Sequence, residues 1–158
     1  MPLITAKKQN PITQNPPIAL CPKKGVLVVR MQNKQKFLFT KFWLPVLLCM
    51  AVIFFVSSVA GSDIPRLFRF QDKIYHFLIY LILGLCYSRA IDNTFLRLSM
   101  VKLIVFTIIF GFIYGASDEF HQSFVPYRDA SVFDVLTDTM GCFAGSLVYF
   151  LSKKFIYD

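Results

Sequence analysis

Nineteen consecutive residues, Phe42–Ala60, carry no charge. That is close to the roughly 20 apolar residues a helix needs to cross a hydrocarbon core. Three further stretches repeat the pattern. The second, Ile74–Ile91, has a short uncharged part, Ile74–Ser88, and Arg89 can snorkel at its end. The third is Leu98–Ser117, with Lys102 near its start, and the fourth is Val132–Leu151, which contains Asp134 and Asp138. Charged or turn-rich segments separate them: Gly61–Lys73, Asp92–Arg97 and Asp118–Ser131. Composition agrees, with 56% hydrophobic and only 16% charged residues, against about 45–50% and about 25% in soluble domains. The pattern predicts an all-α, polytopic membrane protein, a four-transmembrane-helix bundle. It excludes a disordered chain, and despite the net charge of +8 it excludes a nucleic-acid module.

The charge has a direction. Eight basic residues, Lys7, Lys8, Lys23, Lys24, Arg30, Lys34, Lys36 and Lys41, precede span one with no acid among them. Lys153 and Lys154 follow span four, and Arg89, Arg97 and Lys102 surround the middle turn. The positive-inside rule makes these regions cytoplasmic. Both termini are then predicted to lie inside. The Asp118–Ser131 loop, with Asp118, Glu119 and Asp129 against Arg128, then faces out. So does the loop after span one, where Arg66, Arg69 and Lys73 offset Asp63 and Asp72.

Residues 1–36 read as a basic, proline-containing, disordered cytoplasmic N-terminus ahead of a transmembrane domain at 37–158. Met31 offers an alternative start, and Ser58-Val59-Ala60 fits a small-x-small cleavage site after an apolar run. Span one therefore has a second reading as a cleaved leader. Cys21, Cys49, Cys86 and Cys142 have no C-x-x-C spacing and read as small apolar fillers.

On this topology most acids and both histidines gather at one face of the bilayer. Asp72, His76 and Tyr80 share one helical face. Asp118 shares another with His121 and Gln122 if span three continues that far. Arg128 lies in the outer loop, and Asp134 and Asp138 in the outer half of span four. Asp72 also suits an N-cap, and Ser131 with Asp134 resembles a capping box. Asp138 lies a turn deeper and must face the bundle, with Tyr114 as a possible hydrogen-bonding neighbour. Arg128 suits an anion, or a salt bridge to Glu119 or Asp134. With Asp72, Glu119 and Asp134 nearby, His76 and His121 could bind a metal, but no fixed ligand spacing calls for one, and no metal or other cofactor is expected. Gly111-x-x-x-Gly115 and Gly141-x-x-x-Gly145 predict close packing of spans three and four around Asp138.

These residues together resemble the VanZ-like family of small bacterial membrane proteins. The match starts at Ser57-Ser58 and continues through Asp72-Lys73-Ile-Tyr-His76. It is strongest over Asp118-Glu119-Phe-His121-Gln122, Pro126-Tyr-Arg128 and Asp134-Val-Leu-Thr-Asp138. Tyr127 stands where the family often has Gly, and Asp138 where Asn is common. The resemblance implies a plasma-membrane protein, in a family named for a member that raises resistance to the glycopeptide teicoplanin. It implies no particular reaction.

Two functional classes follow. The first is a non-catalytic envelope protein. It binds a lipid, a peptidoglycan precursor or a glycopeptide through Asp72, His76, Asp118, Glu119, His121, Gln122, Arg128, Asp134 and Asp138. Here Arg128 holds an anion and Asp134 orients it. The second is a membrane-embedded hydrolase or transferase, with Glu119 or Asp118 as general base, His121 or His76 as proton partner and Arg128 as clamp. Proton-coupled transport through Asp138 is a weaker third, because no pair of broken helices is evident.

Overall fold

The computed structural model describes residues 24–63, 70–94 and 98–157. Four helices carry the chain: α1 (Lys24–Ser57), α2 (Gln71–Thr94), α3 (Met100–Gln122) and α4 (Val132–Tyr157), with one 3-10 turn at Gly61–Asp63. All four contain segments long and apolar enough to span a membrane: Phe39–Ser57, Gln71–Thr94, Met100–Gln122 and Val132–Phe155. Helix α1 is continuous through residue 36, where the sequence reading placed a boundary. Residues 1–23, Cys21 among them, and Arg66, Arg69 and Arg97 lie outside the described residues.

The distribution of side chains inverts that of a soluble protein. Phe55, Ile113, Met140 and many other large apolar side chains are exposed. The interior holds Ser57, Gln71, His76, Ser88, Thr107, Asp118, Glu119, Gln122, Asp134, Asp138 and Ser146. Apolar surface on this scale is stable only against lipid, and buried polar groups then serve as contacts between helices.

The helices run up, down, up, down. Trp43 Nε1 donates to Thr94 Oγ1 (3.0 Å), and Asp92 accepts from Tyr149 (2.8 Å) and from Lys153. These contacts define the basic end of the bundle. At the opposite end Gly61 N–H donates to Pro126 O (3.1 Å), joining the two connecting loops. Tyr127 adopts φ 59°, the left-handed region in which glycine is relaxed and other residues are uncommon. The tyrosine thus keeps a glycine-like backbone at the position where the resemblance leads one to expect glycine.

Helix α4 is the hub. Its buried residues, Asp134, Val135, Asp138, Gly141, Cys142, Gly145 and Ser146, recur at the helical period. On one side it meets antiparallel α3: a Cβ on Gly115 would lie 2.9 Å from Asp138 Oδ2, and one on Gly111 would lie 2.6 Å from Cys142 Cβ. On the other side it meets α2, which runs parallel to it. A Cβ on Gly141 would lie 2.6 Å from Phe77 O, and one on Gly145 would lie 2.1 Å from Leu81 O. The expected packing of spans three and four around Asp138 is present, but only the α3 glycines serve it. The α4 glycines receive the α2 backbone. A small-x-x-x-small motif marks a close approach without naming the partner, which is set by the direction each Cα faces.

Candidate functional site

Helix α3 does not stop at Ser117. It continues to Gln122, and its last turn carries Asp118, Glu119 and Gln122 inward. Two other polar helix starts meet it. Helix α2 opens with Asp72, Lys73 and His76, and α4 opens with Asp134 and Asp138. Because α2 and α4 are parallel, both positive helix ends point to this side, which favours the carboxylates in their first turns. Ser57 at the end of α1 completes the ring. The elements enclose a cavity of about 770 Å³.

The mouth is held by Arg128. Its Nε donates to Val59 O (3.2 Å), one terminal nitrogen donates to Val56 O (3.1 Å), and the other reaches Asp72 Oδ1 (3.5 Å). The guanidinium therefore caps the carbonyl end of α1, whose last C=O groups lack donors within the helix. The expected bridge to Glu119 or Asp134 is not made. Asp134, only 3% exposed, instead accepts from Lys73 Nζ at 2.6 Å. Asp134 therefore holds Lys73 rather than orienting Arg128.

Removing that cation isolates a buried carboxylate. Breaking a buried pair costs 3–5 kcal/mol and an exposed pair under about 1. The Lys73 side chain is 40% exposed, so Lys73→Met is expected to cost about 2 kcal/mol. Thermal unfolding in detergent measures it, and Lys73→Met with Asp134→Asn should recover most of the loss.

The capping box anticipated at α4 is assembled across helices. Ser131 Oγ accepts from Phe133 N–H (3.2 Å), as an N-cap does. The reciprocal bond to Ser131 N–H comes from Glu119 Oε2 on α3 (2.7 Å), not from Asp134. Asp72 is the second residue of α2 rather than its cap, and its carboxylate turns to Arg128 and, at 4.0 Å, to His76.

Deeper in lie His76, Asp118, Glu119 and Asp138, all buried. His76 Nδ1 is 2.9 Å from Asp138 Oδ1. Asp138 therefore pairs with His76 rather than with Tyr114, whose hydroxyl donates to Met50 O (2.8 Å). Asp118 Oδ2 accepts from Ser57 Oγ and Gln122 Nε2, each at 3.0 Å. One potential ligand atom from each of the four residues lies within 4.8 Å of the others, a set able to hold a metal ion. The group considered from the sequence, His76 and His121 with Asp72, Glu119 and Asp134, shares only His76 and Glu119 with this set, because the spacing is spread over three helices.

His121 is not brought to this cluster. Its ring stacks on Phe54 (4.7 Å between centroids), and Nε2 lies 3.0 Å from Ser58 Oγ. A residue three positions from Asp118 falls on the other side of the inward face from Gln122, toward α1. Sequence reasoning also missed Ser57, Lys73 and Ser131 as contacts of the site. Ser57 and Lys73 stood in the quoted motifs, and Ser131 in the capping pattern, but their partners lie on other helices.

Fold and site together define a polytopic membrane protein with an acidic, buried polar centre at one end of its bundle. Residues 42–153 match the VanZ/LLP1 family, and the chain belongs to that family. It is also 28% identical over 109 residues to an uncharacterized protein of Schizosaccharomyces pombe. That alignment covers 69% of this chain and 65%, just under two thirds, of the relative. No solved structure matches.

Proposed function

We propose that the protein is an envelope-binding membrane protein whose cavity takes the polar head of an amphipathic lipid. The carrying observation is the two-sided lining of the cavity. Ile53, Val56 and Ile79 stand beside Asp72, Asp118, Asp129 and Asp134. A lipid head with the first part of its chain needs both surfaces. Lys73 and Arg128 each already face a carboxylate. The surplus is acidic, so the ligand chemistry that fits is a donor, an ammonium or sugar hydroxyl, rather than an anion held by Arg128. The basic end, with Lys41, Arg89, Lys102, Lys153 and Lys154, is the cytoplasmic one on this reading. The cavity then opens to the outer leaflet.

The test is lipid preference of the purified full chain, read by native mass spectrometry. Phosphatidylethanolamine and a diglucosyl lipid, whose heads carry donors, should bind at least 10-fold better than phosphatidylcholine, whose head has no N–H. Asp129→Asn, at a lining carboxylate outside the deeper buried cluster, should reduce the preference. Equal binding of all three lipids overturns the reading, and binding of teicoplanin in place of the lipids moves it to the antibiotic.

The His76–Asp138 contact favours a second reading, since an imidazole backed by a carboxylate is a general-base arrangement. A hydrolase or transferase acting on the same lipid class would lose turnover in Glu119→Gln or His76→Gln yet keep binding.

A further inference from the structure

The deepest part of the site is under-satisfied. Glu119 and Asp138 are 5% and 0% exposed. Yet Glu119 Oε1 and Asp138 Oδ2 have no hydrogen-bond partner among the described residues. An unpaired buried polar atom costs about 1–3 kcal/mol, and more when it is charged. The charges are also out of balance. Asp118, Glu119 and Asp138 supply three carboxylates, and His76 is the one basic group among the four. The hydrogen bonds to Asp118 come from Ser57 and Gln122, both neutral.

We propose that His76, Asp118, Glu119 and Asp138 bind one divalent first-row metal ion, Zn²⁺ or Mn²⁺. The donor set decides the class. Three carboxylates and an imidazole, with no thiolate, suit Zn²⁺ or Mn²⁺, whereas Mg²⁺ and Ca²⁺ prefer oxygen alone. Ligands at about 2.0–2.2 Å from one ion lie about 3–4 Å apart. The present 4.8 Å limit closes with side-chain adjustments of about 1 Å. The two unpartnered oxygens become ligands, and the double charge answers the carboxylate excess. His76 offers the ion Nδ1, the nitrogen that faces Asp138, so their hydrogen bond gives way to shared coordination. Glu119 Oε2 stays on the α4 cap and steadies that ligand as outer contacts steady metal ligands in general. The ion ties α2, α3 and α4 beneath the lipid cavity, and the proposal does not depend on which lipid binds there.

The experiment uses the full chain purified in detergent, stripped with EDTA and exposed to Zn²⁺, Mn²⁺ or Mg²⁺ without added lipid. Elemental analysis should find one Zn²⁺ or Mn²⁺ per chain. The unfolding temperature should rise with these ions and not with Mg²⁺. Glu119→Gln and Asp138→Asn, which keep side-chain shape, should each weaken binding at least 10-fold. Asp92→Asn, at the opposite end, should not. Wild-type protein that holds no stoichiometric ion overturns the proposal, as does unchanged affinity in both cluster variants. Neither result bears on the expected preference for phosphatidylethanolamine over phosphatidylcholine.

Discussion

His76→Leu is expected to lower the stability of the detergent-solubilised protein by about 3–5 kcal/mol. Asp138 is fully buried, and the His76 ring is the hydrogen-bonding group on its Oδ1 at 2.9 Å. Its second oxygen already lacks a partner among the described residues. Leucine removes the imidazole and leaves a carboxylate inside a low-dielectric bundle with neither counter-charge nor donor, which is costlier than the pair was favourable. The companion variant isolates that cause. His76→Leu combined with Asp138→Asn keeps the space filled and deletes the charge, so it should recover more than half of the loss, a coupling that additive contributions would not produce. Urea or thermal unfolding of the four proteins closes the cycle. A single variant within about 1 kcal/mol of the wild type would show that Asp138 is not carrying buried charge.

The spans were legible because lipid imposes a simple length requirement that apolar runs make visible. The ends of the spans were less so. Hydropathy falls at Asp118, but the backbone hydrogen bonds of α3 continue to Gln122 because Asp118, Glu119 and Gln122 turn into the bundle. A polar side chain ends an apolar run whether it faces water or a buried partner, and sequence alone does not separate the two. The face shared by Asp72, His76 and Tyr80 could be read from periodicity. The pairing of His76 with Asp138 could not, since it requires the α2–α4 register. Arg128 shows the same gap from the chemical side. Its fork was read as an anion site, but its actual acceptors, Val56 O and Val59 O, are backbone groups exposed by the end of a helix about 70 residues away in sequence. Every residue carries a carbonyl, so residue identity gives no hint of which one is left over.

That register rests on glycine, and Gly145→Val is expected to cost at least about 3 kcal/mol. A Cβ at Gly145 would meet Leu81 O at 2.1 Å, Leu85 N at 2.6 Å and Gly84 C at 3.1 Å. These are backbone atoms of α2, so no rotamer change relieves the overlap. The opposing Gly84 is equally constrained, with Cys142 Cα 2.5 Å from where its Cβ would be. The helices must separate, and in a membrane the lost van der Waals packing is not offset by a hydrophobic gain, because lipid is as apolar as the helix surface. The damage is transmitted to the site. Lys73 and His76 ride on α2 while Asp134 and Asp138 ride on α4, so separation stretches the 2.6 Å and 2.9 Å contacts between them. Gly145→Val should therefore lower the unfolding temperature and weaken binding in the cavity together, although Gly145 is two helical turns below Asp138. Met140→Val, on the exposed face of the same helix, changes β-branching without touching α2 and should stay within about 0.5 kcal/mol. Comparing the two separates contact with the α2 backbone from the general cost of valine in a helix. If both variants unfold alike, backbone contact between α2 and α4 is not what fixes the register.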